Sequence, residues 1–102
     1  MRRRTILFGI DGAPWHLVDR FVKDGALPNM KKFLEGGVKG TLLSTFPTET
    51  MAAWNSIFTG VNPGKHGMPD FRLRLNGKIE IAQSRFRQAE TIWQIMSRKG
   101  LK

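Results

Sequence analysis

The sequence predicts an α/β protein, and three observations carry that expectation. Thr5 to Ile10 is a continuous apolar run, the character of a strand buried on both faces of a parallel sheet. Helical patterns bounded by proline at the start and glycine at the end follow it. Later, Asn76-Gly77 stands between two alternating segments and marks a hairpin. The expected architecture is a mostly parallel sheet with flanking helices and one β-hairpin.

Asp11-Gly12 ends the first strand. Pro14 at a first-turn position, then Trp15, Val18, Phe21 and Val22, makes the next element a helix, which Gly25 stops. A second helix opens near Pro28, with Met30, Phe33 and Leu34 inward and Lys31 and Lys32 outward, until Gly36-Gly37 breaks it. Val38 to Ser44 reads as the next strand. Pro47 closes an extended segment, Thr50 stands where a capping hydroxyl stands, and Met51, Trp54, Ile57 and Phe58 recur at helical spacing until Gly60. Val61 to Pro69 is a turn-rich loop. In the hairpin, Phe71, Leu73 and Leu75 alternate with Arg72 and Arg74, and Ile79 and Ile81 with Lys78 and Glu80. A last helix starts near Ala89 or Glu90, carries Ile92, Trp93 and Met96 on one face, and ends at Arg98-Lys99-Gly100.

At 102 residues the chain holds one domain at most. It has no cysteine, which excludes a disulfide framework and thiolate metal sites and fits a reducing compartment. Met1-Arg2-Arg3-Arg4 has the charge of a secretion signal's head, but the apolar run behind it stops at Asp11, too short for a signal peptide or a membrane span. A soluble, cytoplasmic protein is expected. The net charge of +9 asks for an anionic partner without choosing one. The basic residues are spread along the chain, the pattern of a solvated surface more than of a clustered nucleic-acid patch.

A strand as apolar as Ile6 to Ile10 needs neighbours on both edges, and the sequence offers one other parallel candidate. These residues are therefore expected to be the N-terminal piece of a larger α/β enzyme.

The Thr50 helix draws the chemistry. A helix start gathers unpaired N–H groups and the positive end of the dipole, a seat for phosphate. Thr50 is also an ordinary N-cap by type, and Asp11 an ordinary turn or capping aspartate. Gly60 to His66 is not a P-loop: its glycines are one residue too close, His66 stands where Ser or Thr is needed, and a helix precedes it. The stripe Trp54, Ile57 and Phe58 reads as core. His66 in a glycine-rich loop reads as structural, and His16 as partly exposed and uninvolved.

Ile10-Asp11-Gly12, Leu27-Pro28-Asn29-Met30, Phe46-Pro47-Thr48-Glu49-Thr50 with a helix ending in Thr59-Gly60, and Asn62-Pro63-Gly64-Lys65-His66-Gly67 occur in an order and spacing that resembles the alkaline phosphatase superfamily. Within it, the resemblance is to the type I phosphodiesterase/nucleotide pyrophosphatase group and covers nearly the whole chain. It implies an α/β sandwich with two divalent metal ions, zinc first and manganese or magnesium as alternatives, at the carboxyl ends of the strands. It implies that Asp11 is a metal ligand, and that Thr50 is both a ligand of the same metal and the nucleophile that becomes phosphothreonine. An alkyl hydroxyl is a poor nucleophile at neutral pH, and no Ser/Thr-His-Asp arrangement offers a base, so a metal is the fitting activator. The Met51 N–H would hold a non-bridging phosphate oxygen.

In that family His66 marks the motif without binding metal. Two departures stand out: Pro69-Asp70-Phe71 occupies the place of an asparagine that holds substrate phosphate in the nucleotide pyrophosphatases, and the family's later Asp and His ligands are not in this sequence. Asp11 and Thr50 alone cannot hold a metal pair, so this stretch by itself is expected to be inactive and to need the rest of the domain or another chain. Sulfatases generate their nucleophile from cysteine, which is absent, and a threonine favours the phosphodiesterase branch over members that use serine. The expected substrate is a phosphorylated small molecule or nucleotide. The rival classes are a small basic nucleic-acid-binding module, using the Arg2 to Arg4 arm and the Arg72/Arg74 face of the hairpin, and a non-catalytic scaffold.

Overall fold

Proline and glycine set the helix limits much as the sequence predicts. The structure, a computed structural model, describes residues 4–101, so Arg2 and Arg3 of the basic arm lie outside the described residues. The chain divides into two units, residues 1–41 and residues 42–102.

In the first unit, helix α1 spans Trp15–Lys23 behind Pro14, and Gly25 takes φ +77° just past its end. Helix α2 spans Pro28–Gly36, with proline in its first turn. The two helices pack together, and Val18 of α1 is buried. Trp15 Nε1 donates to the Gly40 carbonyl at 2.8 Å, and Lys39 Nζ lies 4.5 Å from the centre of the Trp15 ring while bonding both Asp19 carboxylate oxygens at 2.6 Å. This corner ties the chain after α2 back onto α1. Phe33, expected inward, is 78% exposed, whereas Met30 and Leu34 are half-buried as expected.

The expected parallel sheet is not found among the described residues. Thr5 to Ile10 and Val38 to Ser44 form no ladder, and Ile6, Leu7, Phe8, Ile10, Val38, Leu42 and Leu43 are exposed. The reason is physical: a strand exists only where neighbouring strands satisfy its N–H and C=O groups, and the described residues provide none for these runs.

In the second unit, helix α3 spans Thr50–Thr59 and stops at Gly60, whose φ of +70° is costly for a residue with a Cβ. Its buried residues are Ala52 and Asn55, while Ile57 is exposed, which corrects the expected Trp54/Ile57/Phe58 core stripe. Trp54 and Phe58 do stack at 5.4 Å between ring centres, and Phe58 meets Trp93 edge-on at 4.8 Å. The expected loop after Gly60 contains a single-turn helix, α4, Pro63–His66, because Asn62 Oδ1 accepts the Lys65 N–H at 3.1 Å and Pro63 presets the first position.

Strands β1, Arg72–Leu75, and β2, Lys78–Ile81, form the expected antiparallel hairpin, with Arg72 opposite Ile81 and Arg74 opposite Ile79. Asn76 and Gly77, at φ 50° and 79°, supply the two left-handed residues of its tight turn. Leu73 is buried on one face. After a 3-10 turn at Ser84–Phe86, helix α5 runs Ile92–Arg98, starting slightly later than expected because Thr91 is its N-cap. Gln94 Oε1 accepts both the Thr91 N–H at 2.7 Å and the Thr91 hydroxyl at 2.9 Å, and Thr91 is fully buried. Thr91→Ala is expected to lower the stability of the protein by about 1 kcal/mol, read as a shift in the urea midpoint, with little effect from Gln83→Ala at an exposed position.

Candidate functional site

Thr50 is the first helical residue of α3, not its cap: the cap position falls on Glu49, whose side chain makes no capping bond. Thr50 is exposed. The first intrahelical bond of this end runs from the Ala53 N–H to the Glu49 carbonyl at 2.9 Å, so helix geometry leaves the amides of Thr50, Met51 and Ala52 without an i−4 partner. The hydroxyl and the Met51 N–H thus share the positive end of a ten-residue helix. Just upstream, Thr45 Oγ1 donates to the Pro47 carbonyl at 2.9 Å and closes the bend that feeds the chain into α3.

Asp11 lies in the first unit, in an exposed turn with Gly12 at φ +67°. It was expected on a rigid strand end, but no ladder precedes it among the described residues. It is not the cap of α1, since that position is Pro14. Among the described residues no group of three or more His, Cys, Asp or Glu side chains is gathered in a way that could hold a metal ion. His16, expected to be partly exposed, is exposed.

His66 is structural, and more deeply so than a loop histidine need be. It is fully buried, its carbonyl accepts the Gln88 N–H at 3.0 Å, and its Nδ1 accepts the Met68 N–H at 3.1 Å. A ring nitrogen that accepts carries no proton, so the proton sits on Nε2, 3.0 Å from Ser56 Oγ. Ser56 and His66 therefore have the spacing of a nucleophile and its base but the wrong tautomer: Nε2 donates to the serine and cannot take its proton. Burial pushes the imidazole pKa below its ordinary value; a backbone hydrogen bond at Ala52 opposes this, and the Arg87 charge adds to it.

Sequence reasoning passed over Asn55 altogether. It is buried on α3, donates from Nδ2 to the Met51 carbonyl at 2.9 Å, and accepts on Oδ1 from Arg87 Nη1 at 3.2 Å. A polar residue on the inward side of an apolar helix was the available signal. Asp70, in the stretch that departs from the family pattern, turns its Oδ1 onto the Phe71 and Arg72 amides at the start of β1.

Residues 5–102 match the model of a family described as type I phosphodiesterase / nucleotide pyrophosphatase. No curated protein and no solved structure matches the chain.

Because the neutral imidazole is the form the fold accepts, the unfolded chain binds the His66 proton more readily. Stability is expected to be full above about pH 6.5, the ordinary histidine value, to fall as pH drops through it, and to level off below the depressed folded value. Urea midpoints between about pH 8 and pH 5 read this, and His66→Gln should flatten the step while lowering stability throughout. An equal step in wild type and variant would assign it elsewhere.

Proposed function

The chain belongs to the type I phosphodiesterase/nucleotide pyrophosphatase family, and from that premise we propose that it is part of a metal-dependent hydrolase of phosphodiesters or nucleotide pyrophosphates that works through a phosphothreonine at Thr50. The observation that carries the reading is the placement of Thr50: an exposed hydroxyl on the first residue of α3, beside an amide that the helix leaves unpaired. Thr50 gives up its hydroxyl proton to solvent, Oγ attacks phosphorus and forms the new O–P bond, and the ester or pyrophosphate oxygen departs as its own P–O bond breaks. Water then cleaves the Thr50–phosphate bond and returns the hydroxyl. The Met51 N–H and the positive end of α3 hold a non-bridging oxygen whose charge grows during both steps.

The donors fit a divalent cation in kind and fall short in number. A carboxylate at Asp11 and a hydroxyl at Thr50 are oxygen ligands suited to a hard ion, yet no group of three candidate ligands occurs among the described residues. We assign Asp11 and Thr50 to one site of a two-ion centre, zinc or else manganese or magnesium, with the other ligands outside this stretch or on another chain. When bound, the ion supplies Lewis-acid stabilisation and a more acidic hydroxyl. In this reading residues 1–102 are the N-terminal portion of an alkaline phosphatase-like catalytic domain. No helix among the described residues is long and apolar enough to cross a membrane. A cytoplasmic setting, the remaining part of the proposal, rests on the absence of cysteine.

Thr50→Ala is expected to reduce turnover of bis-p-nitrophenyl phosphate by the complete protein about a thousand-fold or more, because it removes the hydroxyl that forms the covalent intermediate. Asp11→Ala should lower bound metal measured by elemental analysis. Thr50→Ser should restore part of the rate. Turnover that survives Thr50→Ala would overturn the assignment.

A further inference from the structure

The hairpin of β1 and β2 is apolar on both faces, whereas a strand pair at a protein surface ordinarily turns polar residues outward. One face carries Leu73, which is buried, with Leu75 and Glu80 half-buried. The other sets Arg72 opposite Ile81 and Arg74 opposite Ile79. Both arginines are exposed, Ile79 is 64% exposed and Ile81 74%, so this face is open to solvent. The Ala82 N–H bonds the Phe71 carbonyl at 2.7 Å, and by alternation the ladder bonds fall on the pairs of Leu73 and Leu75. The outward face is therefore built from the unbonded pairs, whose Cα atoms approach to about 4.5 Å, and each guanidinium stem lies beside an isoleucine.

No carboxylate shares this face. Glu80 is on the other side, and Asp70 turns its Oδ1 onto the Phe71 and Arg72 amides. Neither arginine belongs to the ion pairs among the described residues, which are Arg20–Asp24, Lys31–Glu35, Lys39–Asp19 and Arg98–Glu90. Two free cations interleaved with two bare aliphatic side chains suit an anionic bilayer surface. Isoleucines enter the boundary between headgroups and acyl chains, while guanidinium groups on flexible stems stay level with the lipid phosphates. The outer N–H groups of the unbonded pairs hold the hairpin at that depth, because headgroups and water can accept them and hydrocarbon cannot. A nucleic acid would match the arginines and leave the isoleucines in water. The net charge of +9, spread along the chain, complements an extended anionic plane better than a single groove. The contact is peripheral, and no helix among the described residues is long and apolar enough to cross a membrane.

We propose that the outward face of the hairpin docks the protein on an anionic lipid bilayer, with Ile79 and Ile81 inserted and Arg72 and Arg74 on lipid phosphates, whether or not Thr50 acts as a nucleophile. The complete protein should sediment with vesicles of phosphatidylglycerol and phosphatidylcholine, and stay in solution with vesicles of phosphatidylcholine alone. Arg72→Gln with Arg74→Gln should weaken the partition about ten-fold or more. Lys23→Gln with Lys32→Gln, an equal loss of exposed charge in the first unit, should weaken it far less. Ile79→Thr with Ile81→Thr should weaken it about ten-fold while every charge is kept. Threonine retains the branched shape that strands favour, and a urea midpoint near the wild-type value would show that this variant is folded. Partition retained in the threonine pair, or lost equally in the two charge pairs, overturns the proposal and leaves only unspecific attraction. Tighter binding to duplex DNA than to the anionic vesicles, abolished by the arginine pair and untouched by the threonine pair, would overturn it as well and give the face to nucleic acid.

Discussion

The second unit is organised around one buried neutral imidazole. His66 faces α3 through Ser56, fixes the following turn through the Met68 amide, and holds the segment before α5 through Gln88. Helix α3, the turn at Met68 and the segment at Gln88 thus meet on one residue: the first two through its ring, where the Met68 bond leaves the proton to Nε2, and the third through its backbone carbonyl. The packing around it has little slack. A Cβ at Gly67 would come within 3.1 Å of the Gln88 side chain, and Met68 next to it is almost wholly buried. Helix α3 packs on α4, the turn that carries His66.

Asn55 extends the same logic along α3. It ties the first turn of the helix to Arg87, and Thr59 closes the last turn with a 2.6 Å bond to the Asn55 carbonyl. The inward side of α3 is therefore a hydrogen-bonded network with no buried polar side-chain atom left unpaired among the described residues. Such a network specifies a position better than a greasy stripe does, because a shift by one turn would strand several donors at once. This suits a helix whose first residue is the proposed nucleophile.

Elements with local causes were legible in the sequence. The hairpin follows from Asn76-Gly77 and alternation, and α1, α2 and α3 from their proline and glycine boundaries; the family resemblance agrees with the match over residues 5–102. What depends on distant partners was not legible. Thr5 to Ile10 has a strand's composition, but a strand is a property of two or more segments. The single turn of α4 could have been read from Asn62-Pro63, whose capping amide and fixed φ announce a helix start; the inward turn of His66 could not, because a lone histidine carries no periodicity. Of the candidate site, Thr50 and Met51 lie together at a helix start as the sequence implied, while Asp11 stands in a turn in place of a strand end.

The tight turn at Asn76-Gly77 also restricts how this protein can change over time. Strand pairing has a period of two, so losing or gaining one residue there would exchange the faces of β1, driving the guanidinium groups inward and Leu73 out into water. Insertions in pairs would merely lengthen the ribbon. Length variation at this tip should accordingly be found in even steps, a footprint of backbone geometry that descendants of this chain would carry whatever they came to do.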